Sequence, residues 1–149
     1  MKTLVALLAF LFSVCAYAED SCLDLNGVYR IDGVRAVRIT QFACKTLKIS
    51  NGEIQDVGRI DWYKANVSTT LDGAPTCDKA SCVTGKIYPD EIEISRDQAW
   101  TTTNEHGSCE YRQESLLLDA GRNLIRKQTI YNCQDGFSGM FETVLLRMN

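Results

Sequence analysis

Cysteine is the residue type here with the most chemistry available to it. Seven are present, Cys15 at the end of an apolar N-terminal run and Cys22, Cys44, Cys77, Cys82, Cys109 and Cys133 farther on. Thiols can hold a metal, attack as nucleophiles or pair as cystines. Spacing argues against metal, because no Cys-x-x-Cys pair occurs and the single histidine, His106, lacks a second imidazole. An even six in an exported chain pairs instead into three disulfides, and this leaves no thiol as a nucleophile. His106 falls within Asn104-Glu105-His106-Gly107, a polar turn signal, where a solvated role is expected. Neither a Gly-x-Ser-x-Gly elbow nor a His-Glu-x-x-His helix is present. The chain therefore reads as non-enzymatic, with no catalytic residue, metal or cofactor, and no motif in it names an activity.

Export is read from the first residues. Met1-Lys2 is followed by an apolar run from Thr3 to Val14, then Ala16-Tyr17-Ala18 and the acidic pair Glu19-Asp20. A basic start, a short apolar stretch and small residues at a cleavage site make a secretory signal peptide over 1–18. Residues 19–149 are then one domain, secreted or periplasmic. The alternative is lipoprotein processing just before Cys15, but Val14 is larger than the residue normally found there, so cleavage after Ala18 is preferred. No other apolar run is long enough to span a bilayer. Sixteen basic and 19 acidic side chains are interspersed, so nothing supports nucleic-acid binding. Oligomeric state is not legible.

Short strands separated by turn chemistry must position these cysteines. In the first hairpin, turning at Asp32-Gly33, a three-residue loop sets Ile31 opposite Arg35, Tyr29 opposite Val37 and Gly27 opposite Ile39. Leu25, Tyr29, Ile31, Val37 and Ile39 then share one face, and the same register sets Cys22 opposite Cys44. A later hairpin around Asp119-Ala120-Gly121-Arg122, with partners summing to 242, brings Cys109 to Cys133, Tyr111 to Tyr131 and Leu117 to Ile125. Cys77 and Cys82 remain and close a small loop. Each of the two longer staples is expected to contribute about 3 kcal/mol by loop entropy.

Elsewhere Thr46–Ser50 is expected to turn at Asn51-Gly52 into a strand over 53–63, followed by a strand over 67–71. Val83–Tyr88 turns at Pro89-Asp90 into Ile92–Ile94, 98–103 forms another strand, and Asp135-Gly136 leads into a last strand, Gly139–Arg147. The expected fold is all-β: an antiparallel up-and-down barrel of eight or nine strands, with a β-sandwich as the alternative. Leu25-Asn26-Gly27-Val28-Tyr29, opening the first strand, resembles the Gly-x-aromatic start of lipocalin-like (calycin) barrels. That resemblance implies an aromatic, here Tyr29, plugging one end of the barrel with a late-strand Arg, here Arg147, packed across it. Tyr replaces the usual Trp, and no Thr-Asp-Tyr motif follows.

The last three strands give two faces that are both mixed. One carries Leu116, Leu118, Leu124, Ile130, Phe141 and Leu145 among Arg112, Glu114, Arg126, Gln128 and Arg147. The other carries Tyr111, Tyr131, Met140, Leu117, Ile125 and Leu146 among Gln113, Lys127 and Glu142. A lumen decorated with polar groups has this appearance. Arg112, Glu114, Arg126 and Phe141 are the candidate ligand contacts, and a desolvated Arg126 would need Glu114 or an anionic ligand beside it. The segment Asp72–Cys82, with Lys79 at its tip, is a candidate rigid loop for an exported protein partner. Asn66-Val67-Ser68 is a glycosylation sequon. The first expectation is binding of a small, partly apolar ligand, and the second is a protein-binding or inhibitory module using that loop.

Overall fold

Alternation of buried and exposed residues from Val37 onward shapes the first long strand. In β2 (Arg35–Phe42), Val37, Ile39 and Gln41 are buried while Arg38, Thr40 and Phe42 face out. A period of two can bury one face of a sheet only, so the sheet must curl or pack to cover it. The computed structural model describes residues Cys22 to Asn149; the expected signal peptide and Cys15 lie outside the described residues. It contains ten strands: β1 (Gly27–Arg30), β2, β3 (Thr46–Ile54), β4 (Ile60–Thr70), β5 (Asp72–Cys77), β6 (Cys82–Ile87), β7 (Ile92–Asn104), β8 (Gly107–Leu118), β9 (Leu124–Tyr131) and β10 (Gly139–Arg147).

All are antiparallel and form one sheet in the order β4-β3-β2-β1-β10-β9-β8-β7-β6-β5. The strands run up and down, with β1 and β10 joined through Tyr29↔Arg147 and Arg30↔Leu146. The sheet curls into a half-barrel, and its two free edges, β4 and β5, are consecutive in the chain. Leu71 sits between them, donating its N–H to the Lys45 carbonyl at 2.8 Å and accepting from the Ile87 N–H at 3.3 Å. The Thr69 hydroxyl also donates to the Val83 carbonyl at 3.2 Å. At this seam a side chain on Gly85 would come within 2.6 Å of the Thr70 carbonyl oxygen, so only glycine lets β4 pass so close to β6.

The first hairpin has the expected register, Tyr29↔Val37 and Gly27↔Ile39, with Leu25, Tyr29, Val37 and Ile39 all in the core. Leu47, Leu71, Ile92, Leu124 and Leu145 join them. The three cystines also form as expected: Cys22–Cys44, Cys77–Cys82 and Cys109–Cys133, with Cα separations of 5.8, 4.0 and 4.1 Å.

Several expectations are corrected. The described residues form ten strands rather than eight or nine. Asn51-Gly52 is not a turn; β3 continues to Ile54, and the reversal lies at Gln55–Gly58, where Gln55 N–H bonds the Arg59 carbonyl at 2.8 Å and Gly58 has φ +76°. Gly52 is required by crowding instead, since a Cβ there would meet Ile60 and Trp62 at 2.7 Å. The separate strands expected at 53–63 and 67–71 give way to a single long β4, and 98–103 belongs to β7. Asp72–Cys82 is a hairpin rather than an open loop, reversing through Asp78 N–H to the Ser81 carbonyl at 3.0 Å.

The register of β8 with β9 needs the subtlest correction. Leu117 meets Ile125 and Glu114 meets Gln128, as expected, but Tyr111 meets Ile130 rather than Tyr131. Arg112 and Gln113 together oppose Thr129, a β-bulge that shifts the pairing by one. Cys133 still reaches Cys109 because Asn132 takes a left-handed backbone, φ 51°.

Candidate ligand-binding site

The inner face of the curled sheet encloses a cavity of about 670 Å³. Its apolar wall is formed by Val37, Ile39, Val67, Leu116, Leu124 and Leu145, contributed by β2, β4, β8, β9 and β10. Nearer the mouth stand Val34, Arg35, Glu53, Tyr63 and Thr101. Arg35 is paired with Asp32 at 2.7 Å and the Tyr63 hydroxyl donates to Glu53 at 2.7 Å, so these rim charges are already engaged.

Two bulges turn charged side chains inward. The β8 bulge lets Tyr111 and Glu114, three residues apart, face the same side, while Arg112 and Gln113 point out. In β7 the pairing jumps from Ser95↔Gln113 to Trp100↔Tyr111, so Arg96 to Ala99 are accommodated opposite Arg112 alone. Arg96 is buried there, and Trp100 lines the cavity. One row of cross-strand partners then spans the wall: Ile94, Glu114, Gln128 and Phe141.

Glu114 is the centre of this row. Its Oε1 accepts from Arg96 Nη2 at 2.7 Å and its Oε2 from Arg126 Nε at 2.6 Å. Arg126 also donates from Nη2 to the Tyr111 hydroxyl at 3.1 Å. The Arg96 guanidinium lies 4.3 Å from the Trp100 ring centroid and 5.3 Å from that of Tyr111, in range of cation–π attraction. Burial by itself would raise the Glu114 carboxyl, but Arg126 and Arg96 outweigh it and hold it below the usual carboxylate range. Burial, with Glu114 nearby, pushes the Tyr111 phenol up, so it stays protonated at neutral pH. One carboxylate thus faces two guanidinium groups. Three buried donors in the cluster have no hydrogen-bond partner among the described residues: Arg96 Nε, Arg96 Nη1 and Gln128 Nε2.

Of the residues singled out from sequence, Glu114, Arg126 and Phe141 line the cavity together. Arg112 does not; it is exposed in an outer groove with Ser95, Gln113, Thr129 and Tyr131, which Arg96 also borders, because the bulge inverts its direction. Arg96, Trp100, Tyr111 and Gln128 went unrecognised as a set. Their trace in the sequence was the failure of both faces to read as purely apolar, which a bulge explains and unbroken alternation does not. His106 is not a freely solvated turn residue either. It stacks on Phe137 at 3.9 Å, and its Nδ1 lies 2.8 Å from Asp135, tying the β7–β8 turn to the β9–β10 loop. Lys79 is exposed in the β5–β6 turn, away from the cavity.

At the other end, Tyr29 is fully buried and directs its hydroxyl to the Leu25 carbonyl at 2.8 Å. Arg147 stands 5.8 Å from that ring and donates to the Asn26 carbonyl at 2.9 Å. Among the described residues no helix is long and apolar enough to cross a membrane, and no cluster of His, Cys, Asp and Glu could hold a metal. No family model, curated protein or solved structure matches the chain.

Proposed function

We propose that this chain is an exported, non-enzymatic binding protein that holds a small, partly apolar ligand inside the curled sheet. The observation that carries the reading is the cavity itself. Its volume, about 670 Å³, lies in the range of small-molecule sites, and its lining combines an aliphatic wall with a few convergent polar groups. A sheet wound only for stability would close on its own side chains. Tyr29 buried at one end with Arg147 across it agrees with the lipocalin-like resemblance of the first strand. Three cystines agree with an oxidising compartment, secreted or periplasmic.

Displacement of a fluorescent lipophile from the oxidised protein tests this reading. A wild-type chain that binds the probe, and a Thr143→Trp variant that fills the lumen and does not, is the expected result. Equal binding by both would place the probe elsewhere and defeat the proposal.

A second reading rests on the β5–β6 hairpin. Its turn is closed by Cys77–Cys82 and by Asp78, whose carboxylate accepts from the Ala80 and Ser81 N–H groups at 2.7 and 2.9 Å, with Lys79 exposed at the tip. So rigid a tip loses little entropy on entering a partner's pocket. Under this reading an exported protein is captured from the source's extracellular fraction, and Lys79→Ala weakens that complex.

A further inference from the structure

Resting on the cavity reading above, we infer that the ligand is an anionic amphiphile, with a carboxylate-class headgroup held by Arg96 and Gln128 and reached when the Trp100 ring turns aside. Three observations converge on it. First, Arg96 and Glu114, both buried, and the partly exposed Arg126 set two cations against one carboxylate, an excess of positive charge that a ligand anion would neutralise. Second, the unused donors flank Glu114: Arg96 Nε and Nη1 on one side, and Gln128 Nε2 on the strand directly across. Buried donors without acceptors are costly, and an oxyanion offers several lone pairs at once. Third, the aliphatic wall continues from the same site through Leu116 and Leu145 to Val37 and Ile39, so a headgroup at Gln128 has room for its tail.

Access is controlled by Trp100. The Arg96 side chain is 1% exposed, and the indole lies over its guanidinium at 4.3 Å. Trp100 follows the four-residue excursion Arg96–Ala99, whose last three residues are exposed, so this stretch of β7 is held by fewer ladder bonds than its neighbours. A headgroup arriving at Gln128 competes with the indole for the guanidinium face, and the ring moves.

The probes are decanoate and decan-1-ol, which share a tail and differ in charge. Trp62, the other tryptophan, packs against Arg38 at 4.0 Å outside the cluster, so Trp62→Phe leaves Trp100 as the sole reporter. Calorimetric titration of Trp62→Phe should give decanoate about tenfold or more tighter binding than the alcohol, with a change in Trp100 emission. Arg96→Gln should erase that preference. Because it also removes a partner of Glu114, Gln128→Leu serves as the second variant: it leaves all three charges in place and should cut the preference severalfold. Equal affinities for the two probes, unmoved by Gln128→Leu, would overturn the headgroup assignment and leave the cavity reading intact. Failure of both probes to bind would overturn the two together.

Discussion

Glu114 shows how one residue can govern both stability and its limit in acid. Its carboxylate is 1% exposed and is bonded by Arg96 and Arg126. Replacing it with Leu would leave two guanidinium groups close together, one of them fully desolvated. Breaking a buried ion pair from one side typically costs about 3–5 kcal/mol, and Glu114→Leu should lower the urea midpoint accordingly. The same group sets the acid limit. Since the folded pKa lies below the ordinary 4.5, its stabilisation is present above 4.5 and lost as pH falls through the folded value. Chemical denaturation across the acid range should show wild type losing this increment, while a folded Glu114→Gln chain loses less. A matching acid loss in both would mean that other carboxylates dominate. Arg126 was recognisable in sequence as a cation on a mostly apolar face, with Glu114 as its natural partner. Arg96 was not, because nothing in Ser95-Arg96-Asp97 shows that the strand there leaves its regular pairing.

Strands explain why some of the site was legible and some hidden. Where pairing runs without a bulge, as between β1 and β2, register, buried face and cystine all follow from the order of residues. Where a bulge intervenes, as in β8, residues beyond it change face, and Tyr111 and Arg112 exchange places relative to strict alternation. The bulge's energetic origin is tertiary: Glu114 and Tyr111 gain shared partners in Arg126 and Arg96 only when both face inward. Glycines divide similarly. Asn51-Gly52 has the composition of a hairpin turn, yet Gly52 exists to admit Ile60 and Trp62. At the seam, Gly85→Ala would press on the Thr70 carbonyl, and a loss of about 1–3 kcal/mol is expected from denaturant unfolding. Little change there would show that the edges are not drawn together at this point. Among the cystines, Cys109–Cys133 joins residues 24 apart and is buried, whereas Cys77–Cys82 spans five, with Cys77 exposed and Cys82 half-buried. Converting Cys109 and Cys133 together to alanine should therefore cost about 3 kcal/mol, and the corresponding change at Cys77 and Cys82 distinctly less. Thermal melts of the two double variants compare them directly.

At the scale of the whole molecule, consecutive hairpins made the antiparallel up-and-down course readable from turn residues alone. Closure was harder to see, because β4 and β5 approach through Leu71 and a few threonine hydroxyls rather than through a ladder. The size of the lumen could not be read at all, since it depends on how strongly the sheet curls and on which side chains cross it. Curling places the aliphatic wall, the under-satisfied Arg96 cluster and the rim pairs Asp32–Arg35 and Glu53–Tyr63 around one space. Under the proposed function this space holds a ligand. Chemical-shift mapping of the oxidised protein on titration with decanoate tests it most directly. Saturable shifts concentrated at Val37, Ile39, Leu116, Gln128 and Phe141 are expected; shifts confined to outward residues such as Met140, Val144 and Leu146, or none at saturating probe, would rule out a ligand in this space.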